Sequence, residues 1–528
     1  MVSWLIANPV RFPMLMAIYF ALHVLVRSSI SDSLDYDESE QAFLTQFMLL
    51  GYNSQPPLYT WIQRATFEVF GYSVTSLALL KNSFIWLTYV LVFQMIREAT
   101  GKTVLGIVAA LAMLTIPQVA WESHRDLSHT VATMFSTSLL FYCVVMMGKH
   151  ADKRPSWGWY VLLGFTVGLG ALFKYNFAIV VFATVLAALS VPRFRSAVLD
   201  ARLTVSVAIA LLMVIPHAMW MMQHFAIAST KTINSLSHGG TDWWLSNVVQ
   251  GAGSLIATVL ACCIGPIVLF ASAFGKTTFS VRQERNVGDL SAATIQLFER
   301  FLIAVAVVLG LMVFSGKAVD FENRWFQPFI FLVPAWLTLN LSRAVMLDFR
   351  FQRNLLRIAS VIMLVILSAI IFRPVAASYR GKYSRLNIPY PGVADAIRSM
   401  PEAVPGFIFA KDVRDAGNLR MQFPDSLVLC YEMKHLITNE MKKSLLREER
   451  VWGFSSVRDP ELQDEVGAQL RDYFVGVIDS RSPMDVSGTT LELPYLYGNE
   501  LDRRLFWYGR IEAMPDRMGA SASGKRLD

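Results

Sequence analysis

The chain has 528 residues, of which 54% are hydrophobic and 12% aromatic, and its mean hydropathy is +0.43. This composition is too apolar for a soluble enzyme and indicates a protein that crosses a membrane several times. The net charge of +7 follows from the distribution of basic residues between the membrane spans. It gives no indication of nucleic-acid binding.

Apolar stretches long enough for a spanning helix of ~20 residues recur from near the N-terminus to Arg373. The first stretch has no small-residue cleavage site after it, so we expect a retained span and not a removed signal peptide. The pattern predicts about eleven or more transmembrane helices. They lie at residues 14–30, 76–96, 103–120, 127–148, 158–174, 176–191, 203–221, 250–272, 299–315, 325–341 and 357–373.

Basic residues concentrate in alternate connections between these spans, and acidic residues concentrate in the others. By the positive-inside rule the N-terminus is cytoplasmic and the acidic loops face outward. An odd number of spans then places the C-terminus outside, which is the periplasm in a Gram-negative cell. The inner cations are Lys149, Lys153, Arg154, Arg193, Arg195, Arg202, Lys276, Arg282, Arg285, Arg343, Arg350, Arg353 and Arg357, and the outer acids are Asp35, Asp37, Glu38, Glu40, Glu122, Asp126, Asp320 and Glu322.

The first outer loop contains DYDESE, Asp35 to Glu40, with four carboxylates where the chain meets water. Ionisable groups at a membrane boundary commonly have a function, although such a run also fits a solvated loop. Pro56 and Pro57 can then start a helix that is amphipathic and lies on the membrane surface; the alternative is an ordinary connector. The predicted apolar face contains Leu58, Trp61, Ile62, Ala65, Phe67 and Val69, and the predicted water-facing residues are Gln63, Arg64 and Glu68.

The second outer loop, WESHRDLSHT, repeats this polar pattern at the head of a span. His124, Asp126 and His129 are three residues of the types that bind zinc, so a metal site is one interpretation. Helix capping is the other. The chain has no CxxC pair and no HExxH, Walker or dinucleotide-binding pattern, and metalloprotease, ATPase and oxidoreductase functions therefore lack support.

After Arg373 no apolar run reaches spanning length, and charged residues recur every few positions. We therefore predict a membrane module over residues 1–375, a soluble domain over 376–514 and a disordered tail over 515–528. The runs GFIFA, SLVLC, YFVGVID and RLFWYGRIE predict strands and Asn439 to Glu449 a helix, which indicates a small α/β domain. Cys430 is the one cysteine after Arg373, so this domain contains no internal disulfide.

The first outer loop resembles the signature of the C-type polytopic glycosyltransferases, which include the protein O-mannosyltransferases and the lipid A aminoarabinose transferase. Their pattern is Asp-Glu after the first span, then Gly-Tyr, a polar stretch, Pro-Pro-Leu, and a helix ending in Phe-Gly. The matching residues are Asp37, Glu38, Gly51, Tyr52, Pro56, Pro57, Leu58, Phe70 and Gly71. The resemblance implies a polytopic α-helical membrane protein of the C-type (GT-C) fold with a C-terminal periplasmic α/β domain.

The resemblance also implies an inverting transfer of a sugar from a polyprenyl-phosphate donor. Such a transfer needs a base for the incoming hydroxyl and positive groups for the departing phosphate. On this basis Asp37 is the expected base, and Glu38 is expected to orient it or the acceptor. Asp126 matches the acidic residue of the family's second outer loop.

Phosphate ligands are expected among outer cations. Lys174 closes a span whose glycines permit close helix contact, and the family has a similar Gly-rich span that ends in Lys followed by Tyr or Phe. The alternative is a lysine that snorkels to the interface. Arg324, whose planar donors suit phosphate, is the first choice in the late loop SGKAVDFENRWFQP. The second choice there is Lys317, Lys81 is weaker, and the other expected substrate contacts are Tyr52, Gln55, Tyr59, Tyr175 and His129.

Four segments, QPPLYTWIQ, HRDLSHT, ENRWFQP and AGNLRMQFPDS, increase the resemblance to transferases that add galacturonic acid to lipopolysaccharide core or lipid A. This implies a polyprenyl-phosphate-linked donor, a glycolipid acceptor, contact with membrane lipids and no nucleic acid. It places the enzyme in the bacterial inner membrane with a periplasmic active site. No cofactor and no metal ligand are expected, although a divalent cation is not excluded.

Other functions fit parts of the same pattern. One is mannosyl or aminoarabinosyl transfer to protein or lipid A, and another is a transporter of lipid-linked sugars. A third is a membrane scaffold whose loop acids are only solvated. Transporters place ionisable sites near the membrane midplane and often contain related halves. Because the charges of this chain lie in outer loops and no repeat is found, a transferase is favoured.

Overall fold

The computed structural model describes residues 2–274, 290–344, 349–399, 406–447, 451–457, 463–478 and 484–513. The predicted tail and the predicted inner cations Lys276, Arg282 and Arg285 lie outside these ranges. The chain forms two compact units. The first comprises Met1–Ser28, Met48–Val69 and Thr75–Ile370, and the second comprises Ser29–Phe47, Phe70–Val74 and Ile371–Asp528.

The first unit is helical, because a helix pairs the backbone groups of an apolar segment within that segment. Its longer helices are Arg11–Ile30, Leu58–Phe70, Val74–Thr100, Thr103–Ala112, Ser128–Lys149, Trp157–Phe173, Phe177–Ser190, Leu203–Gln223, Phe225–Leu236, Trp244–Phe274, Leu290–Phe314, Val333–Ala344 and Phe349–Val375. Its shorter helical segments are Val2–Ala7, Met113–Thr115, Gln118–Glu122, Ser123–Arg125, Ala151–Lys153, Pro192–Val198 and Asn323–Ile330.

Each predicted span coincides with apolar helix, but a helix break lies inside or at the end of three of them. Within the described ranges, seven helices are long and apolar enough to cross a membrane, or up to nine if each bent pair is one span. The segments Thr103–Thr115 and Gln118–Arg125 meet at 84°, and Phe177–Ser190 and Pro192–Val198 at 118°. Proline, which lacks an amide hydrogen, sits at both breaks. The predicted span 325–341 is likewise two helices, and the count of eleven stays a prediction.

Small residues allow two helices of the first unit to pack closely, as the sequence predicts. A Cβ added to Gly164 would lie 2.7 Å from the carbonyl oxygen of Ser206, and one added to Gly168 would lie 2.6 Å from Sδ of Met213. Helix Trp157–Phe173 therefore contacts Leu203–Gln223 almost backbone to backbone. Packing of this kind stabilises helices in lipid, where the hydrophobic effect does not drive association.

The helix predicted in the first outer loop exists as Leu58–Phe70, but one of its predicted water-facing residues is buried. Gln63, predicted to face water, is fully buried, and its side-chain amide has no hydrogen-bond partner among the described residues. Ala65 and Val69, on the predicted apolar face, are exposed on the protein surface, as residues that contact lipid are. The assignment of Gln63 was wrong because Gln63 lies with Tyr59, Thr60 and Phe67 on the face of the helix that is buried in the protein.

The second unit contains a five-stranded mixed sheet together with helices, which is the α/β character predicted for the soluble domain. Its strands are β1 (Phe407–Ala410), β2 (Leu427–Cys430), β3 (Val451–Val457), β4 (Met484–Pro494) and β5 (Arg503–Ala513), in the order β2-β1-β3-β5-β4. β1 is parallel to β2 and β3, and β5 is antiparallel to β3 and β4. The helical segments are Tyr36–Leu44, Ala377–Arg380, Arg385–Asn387, Tyr390–Arg398, Val413–Gln422, Lys434–Leu436, Asn439–Arg447 and Gln463–Ile478.

One predicted strand of this domain is wrong. The described residues of this run, YFVGVI, lie in helix Gln463–Ile478 and not in the predicted strand YFVGVID. Val466, Leu470, Phe474 and Val477 are buried at the three- and four-residue spacing of a helix. The run is too short to show that period by itself. Strands β3 and β4 were not predicted, and the predicted helix is present as Asn439–Arg447 within the described residues.

We expect Gly164→Ala to destabilise the first unit, because the added methyl group meets a backbone oxygen that cannot rotate away. The expected cost is about 1–3 kcal/mol, as for other overpacked sites, measured as a lower melting temperature in detergent. Gly310→Ala is the matched control, since a Cβ there meets nothing within 4 Å. Equal melting temperatures for the two variants would contradict the close contact.

Candidate functional site

Lys174 is a buried cation at a helix end of the first unit. It follows Trp157–Phe173 with extended backbone (φ −160°, ψ 136°), which ends the helix. Its side chain is 8% exposed, and Nζ donates a hydrogen bond to Oγ1 of Thr130 at 2.7 Å. Burial of an ammonium group is costly unless negative or polar groups compensate it, so this position is suited to an anionic ligand.

Lys174 lines a cavity of about 270 Å³ in which polar groups meet apolar walls. Two loop segments and Thr232 supply the polar groups, and four helices together with Phe321 supply aromatic and aliphatic side chains. A cavity with this lining suits an amphiphile with a polar head. The lining residues are Ser54, Gln55, Lys174, Tyr175, Asn176, Ile179, Thr232, Leu236, Leu309, Met312, Phe321, Trp325, Phe326 and Phe329.

Tyr175, beside Lys174, is held by a histidine. His217 Nδ1 lies 2.7 Å from the carbonyl oxygen of Leu50. A carbonyl only accepts, so Nδ1 carries the hydrogen and Nε2 accepts from the Tyr175 hydroxyl at 3.2 Å. His217 therefore ties the loop of the Gly-Tyr motif to the cavity. These contacts are those of a residue that connects two parts of the protein.

The glycine and tyrosine of that motif have structural roles. A Cβ added to Gly51 would lie 2.2 Å from the ring of Trp220. Tyr52 is buried, its hydroxyl accepts a hydrogen bond from the Leu49 amide at 3.3 Å, and burial raises the pKa of Tyr52. The loop thus approaches helix Leu203–Gln223 closely. Gln55, four residues after Gly51, is the predicted contact of this loop that lines the cavity.

Two other predicted contacts, Tyr59 and His129, are buried beside one another, with ring centres 5.4 Å apart. His129 Nδ1 donates to the carbonyl oxygen of Phe173 at 3.0 Å. Since Phe173 precedes Lys174, this bond and that of Thr130 fix the end of helix Trp157–Phe173. Neither Tyr59 nor His129 is among the described residues that line the cavity.

Asp126 lies at an irregular part of the backbone. It follows the π-helical turn Gln118–Glu122, and Leu127 after it has a φ of +74°, which is strained for a residue with a Cβ. Both irregularities are typical of functional sites. Gln327 stabilises this turn, because Nε2 donates to the carbonyl oxygen of Gln118 at 3.1 Å and Oε1 accepts from Ser123 Oγ at 3.3 Å.

The three residues of the metal interpretation are not assembled. The ring of His124 stacks on that of His23, 4.0 Å away, whereas His129 bonds Phe173. No group of three metal-ligating side chains occurs in the part of the chain that the structure describes.

The other predicted phosphate ligands of the first unit are not among the lining residues of this cavity, although Arg324 directly precedes the lining residue Trp325. Arg324 is half-exposed and forms an ion pair with Glu322, and it lies within electrostatic reach of Glu122. Lys317 is exposed. Lys81 is buried in helix Val74–Thr100.

Asp37 and Glu38 belong to the second unit, where Tyr36–Leu44 begins with a capping box. Oε2 of Glu38 accepts a hydrogen bond from the Asp35 amide at 3.0 Å, and Asp35 is the N-cap. Two backbone donors are thereby satisfied. Glu38 is buried, whereas Asp37, in the first turn, is partly exposed. Glu38 thus stabilises the turn that presents Asp37.

Residues from a later part of the second unit hold this acidic segment. Asp35, only 2% exposed, lies 2.6 Å from Nη1 of Arg385. Asn418 accepts from the Leu34 amide at 2.8 Å and donates to Ser39 Oγ at 3.1 Å. A Cβ added to Gly417 would lie 1.9 Å from the Ser39 carbonyl oxygen. The AGN residues of AGNLRMQFPDS therefore secure the segment that contains Asp37.

Tyr36 is surrounded by carboxylates, and sequence analysis did not select it. Burial is the largest cause that raises the pKa of Tyr36, and the charges of Glu40, Glu432, Asp37 and Asp412 raise it further. Asp37 therefore lies in an acidic environment. Asp412 and Glu432 are remote from it in sequence and follow different strands, and no motif indicates that they are neighbours.

Comparisons with known proteins agree with this architecture. The dolichyl-phosphate-mannose-protein mannosyltransferase family matches residues 54–220, which include Asp126 and Lys174. The lipopolysaccharide core galacturonosyltransferase RgtB of Rhizobium johnstonii is 34% identical over 515 residues, covering 97% of this chain and 98% of RgtB. The chain belongs to this family of C-type glycosyltransferases.

Two further proteins resemble this glycosyltransferase. The lipopolysaccharide core galacturonosyltransferase RgtA of Rhizobium johnstonii is 32% identical over 414 residues, covering 78% of the transferase and 80% of RgtA. The structure of ArnT from Cupriavidus metallidurans bound to undecaprenyl phosphate has a TM-score of 0.56 at 14% identity, with 94% and 97% of the two chains covered. The latter comparison shows the fold alone, and the transferase is a multi-pass membrane protein of that fold.

We expect Asn418→Ala to loosen the acidic segment of the transferase, since it leaves the Leu34 amide and Ser39 hydroxyl without this partner. Loss of a buried partner costs about 1–3 kcal/mol. Hydrogen exchange of residues 34–44 should become about tenfold faster or more, in proportion to that cost. Asn499→Ala, at an exposed position, is the control, and unchanged exchange in Asn418→Ala would refute the proposed support.

Proposed function

We propose that this glycosyltransferase moves galacturonic acid from a polyprenyl-phosphate donor to lipopolysaccharide core or lipid A at the periplasmic face of the inner membrane. The observation that carries the proposal is the cavity in which buried Lys174 meets apolar walls. A polyprenyl phosphate has the same combination of an anionic head and an apolar chain. The names of RgtB and RgtA support the sugar and the acceptor, and undecaprenyl phosphate on ArnT supports the donor lipid.

The proposal includes the topology predicted from the sequence. The membrane module has about eleven spans, and the outer loops and the C-terminal α/β domain face the periplasm. No resident metal or other cofactor takes part in the proposed reaction. Catalysis relies on a base and on preorganised cations, which are sufficient for transfer from a phosphate leaving group.

In the proposed reaction Asp37 accepts the proton of the acceptor hydroxyl. The hydroxyl oxygen bonds to the anomeric carbon with inversion, the bond from that carbon to the phosphate oxygen breaks, and polyprenyl phosphate leaves. Lys174 and Arg324 stabilise the phosphate, with Lys317 and Lys81 as further cations. Glu38 and Asp126 orient the reacting groups, Glu38 through the turn that carries Asp37.

The remaining predicted contacts have two kinds of role in this proposal. Gln55 and Tyr175 line the cavity and contact the donor directly. Tyr52, Tyr59 and His129 shape the elements around it. A galacturonic acid donor carries a carboxylate in addition to its phosphate, and more than one outer cation is therefore needed to bind it.

We expect Asp37→Asn to lower kcat by about 10²–10⁴-fold, the usual contribution of a general base, with little change in donor KM. Mass spectrometry should then show that lipid A or core oligosaccharide lacks one hexuronic acid in cells that carry the variant, as in cells without the gene. Asp32→Asn is the matched control, because Asp32 is exposed in the same loop.

Other outcomes of this experiment change particular parts of the proposal. Loss of aminoarabinose or of another sugar would retain the reaction class and correct the donor. An unchanged glycolipid profile in both mutants would refute glycolipid transfer and direct the search to protein acceptors.

We expect Lys174→Met to raise donor KM by about tenfold or more, because a charge-assisted hydrogen bond to phosphate is worth about 1.5–3 kcal/mol. Methionine retains the apolar stem and is tolerated at a buried site. Lys102→Met, at an exposed position between two helices, controls for loss of charge. Initial rates over a donor titration separate KM from kcat, and an unchanged donor KM would rule out this phosphate role.

A further inference from the structure

The second unit contains a cavity of about 370 Å³ where its parallel strands end. Lys411 and Asp412 follow β1 directly, and Ser455, Ser456 and Val457 are the last residues of β3. The chain leaves β1 for β2 and returns to the other side of β1 as β3. The carboxyl ends of β1 and β3 therefore form a topological switch point, the place where open α/β sheets bind ligands.

The polar groups of this cavity form a connected network. Oγ of Ser456 accepts from Nη2 of Arg414 at 3.4 Å and from Nη2 of Arg504 at 3.3 Å. Since both guanidinium groups only donate, the hydroxyl hydrogen of Ser456 is left to donate to another acceptor. Arg414 also donates to Oδ2 of Asp412 at 3.1 Å. Asp415 accepts from the Ser456 amide at 2.8 Å and fixes the end of β3.

The charges around the cavity are balanced. Lys411, Arg414 and Arg504 are positive, and Asp412 and the buried Asp415 are negative. Glu432 adds a third carboxylate, which accepts from the Val413 amide at 3.0 Å. A phosphate group, with its high negative charge, normally binds where cations outnumber carboxylates. A ligand with many hydroxyl groups suits this site better, because hydroxyls both donate and accept.

The far wall of the cavity is formed by helix Gln463–Ile478. Gln469 is half-buried there and offers an amide that both donates and accepts. Tyr473 adds an aromatic ring that stacks on Tyr431 with centres 4.2 Å apart. Lys411 Nζ lies 5.8 Å from the centre of the Tyr473 ring. Amide, hydroxyl, carboxylate, guanidinium and aromatic groups together recognise polyhydroxylated rings.

The cavity has an electrostatic link to the acid proposed as base. Asp412 lines the cavity, and the negative charges of Asp412 and Asp37 both raise the pKa of the Tyr36 hydroxyl. We propose that the cavity binds a saccharide of the acceptor and so orients an acceptor hydroxyl for transfer. The inference rests on the proposed function in that the saccharide belongs to the glycan that receives the new sugar.

The test uses the full chain in detergent and delipidated lipopolysaccharide core oligosaccharide as the probe, with binding measured by titration calorimetry. Ser456→Ala and Gln469→Ala should each raise the Kd of the oligosaccharide by about tenfold, the loss of one or two hydrogen bonds. Thr489→Ala on β4, where the hydroxyl is exposed, is the matched control and should bind as the parent does. Gln469→Ala removes a side chain from the helix surface, so it tests the site even if Ser456→Ala fails to fold.

Transfer kinetics on the same variants separate this inference from the proposed function. An acceptor KM that rises with the Kd, at unchanged donor KM and kcat, supports the saccharide site. Unchanged oligosaccharide binding in both variants would overturn it, even while the parent still transfers sugar to lipopolysaccharide. Displacement of the oligosaccharide by inorganic phosphate alone would also overturn it. A further outcome is that the parent binds the oligosaccharide but transfers no sugar, while both variants bind the oligosaccharide more weakly. In that case the proposed function fails and the saccharide site stands.

Discussion

The ion pair between Asp35 and Arg385 is the interaction on which the proposed chemistry depends. Asp35 is almost fully buried, and a buried carboxylate is tolerated only when charges and hydrogen bonds compensate for its lost hydration. The same carboxyl group caps helix Tyr36–Leu44, whose first turn contains Asp37. One buried group therefore fixes both the start of that helix and its attachment to Arg385, 350 positions later in the chain.

The sequence predicted most of the apolar helices, because long apolar runs identify them. It also predicted three segments with candidate site residues, namely the first and second predicted outer loops and the Gly-rich span that ends at Lys174. Gly164 and Lys174 were found together since small residues and a terminal cation leave a visible pattern. The break inside the predicted span 103–120 was missed because apolar residues continue on both sides of Pro117. Gln63 was predicted on the wrong face because the prediction assigned every polar residue of the helix to water, whereas the amide of Gln63 is buried.

The contacts of the acidic segment show a second limit of sequence analysis. Nothing local to Leu34 or Ser39 indicates that Asn418 binds both, and no motif brings Asp412 into the neighbourhood of Tyr36. Such pairs arise from the order of strands in the sheet and from the crossing of helices. The role of Glu38 in a capping box was, in contrast, available from local spacing, since the box is a short sequence signature. From the resemblance to a catalytic Asp-Glu pair, Glu38 was instead predicted to orient the base or the acceptor.

The separation along the chain between the acidic segment and its partners has a consequence for biosynthesis. Leu34 and Asn418 are 384 positions apart, and Gln46 and Val428 are 382 apart. A nascent chain emerges from the N-terminus, so residues 29–47 are made long before the groups that hold them. The ribosome must complete most of the chain before Asp35 can form its ion pair with Arg385. A truncated product would thus contain the helices of the first unit and the acidic residues without the contacts that order them.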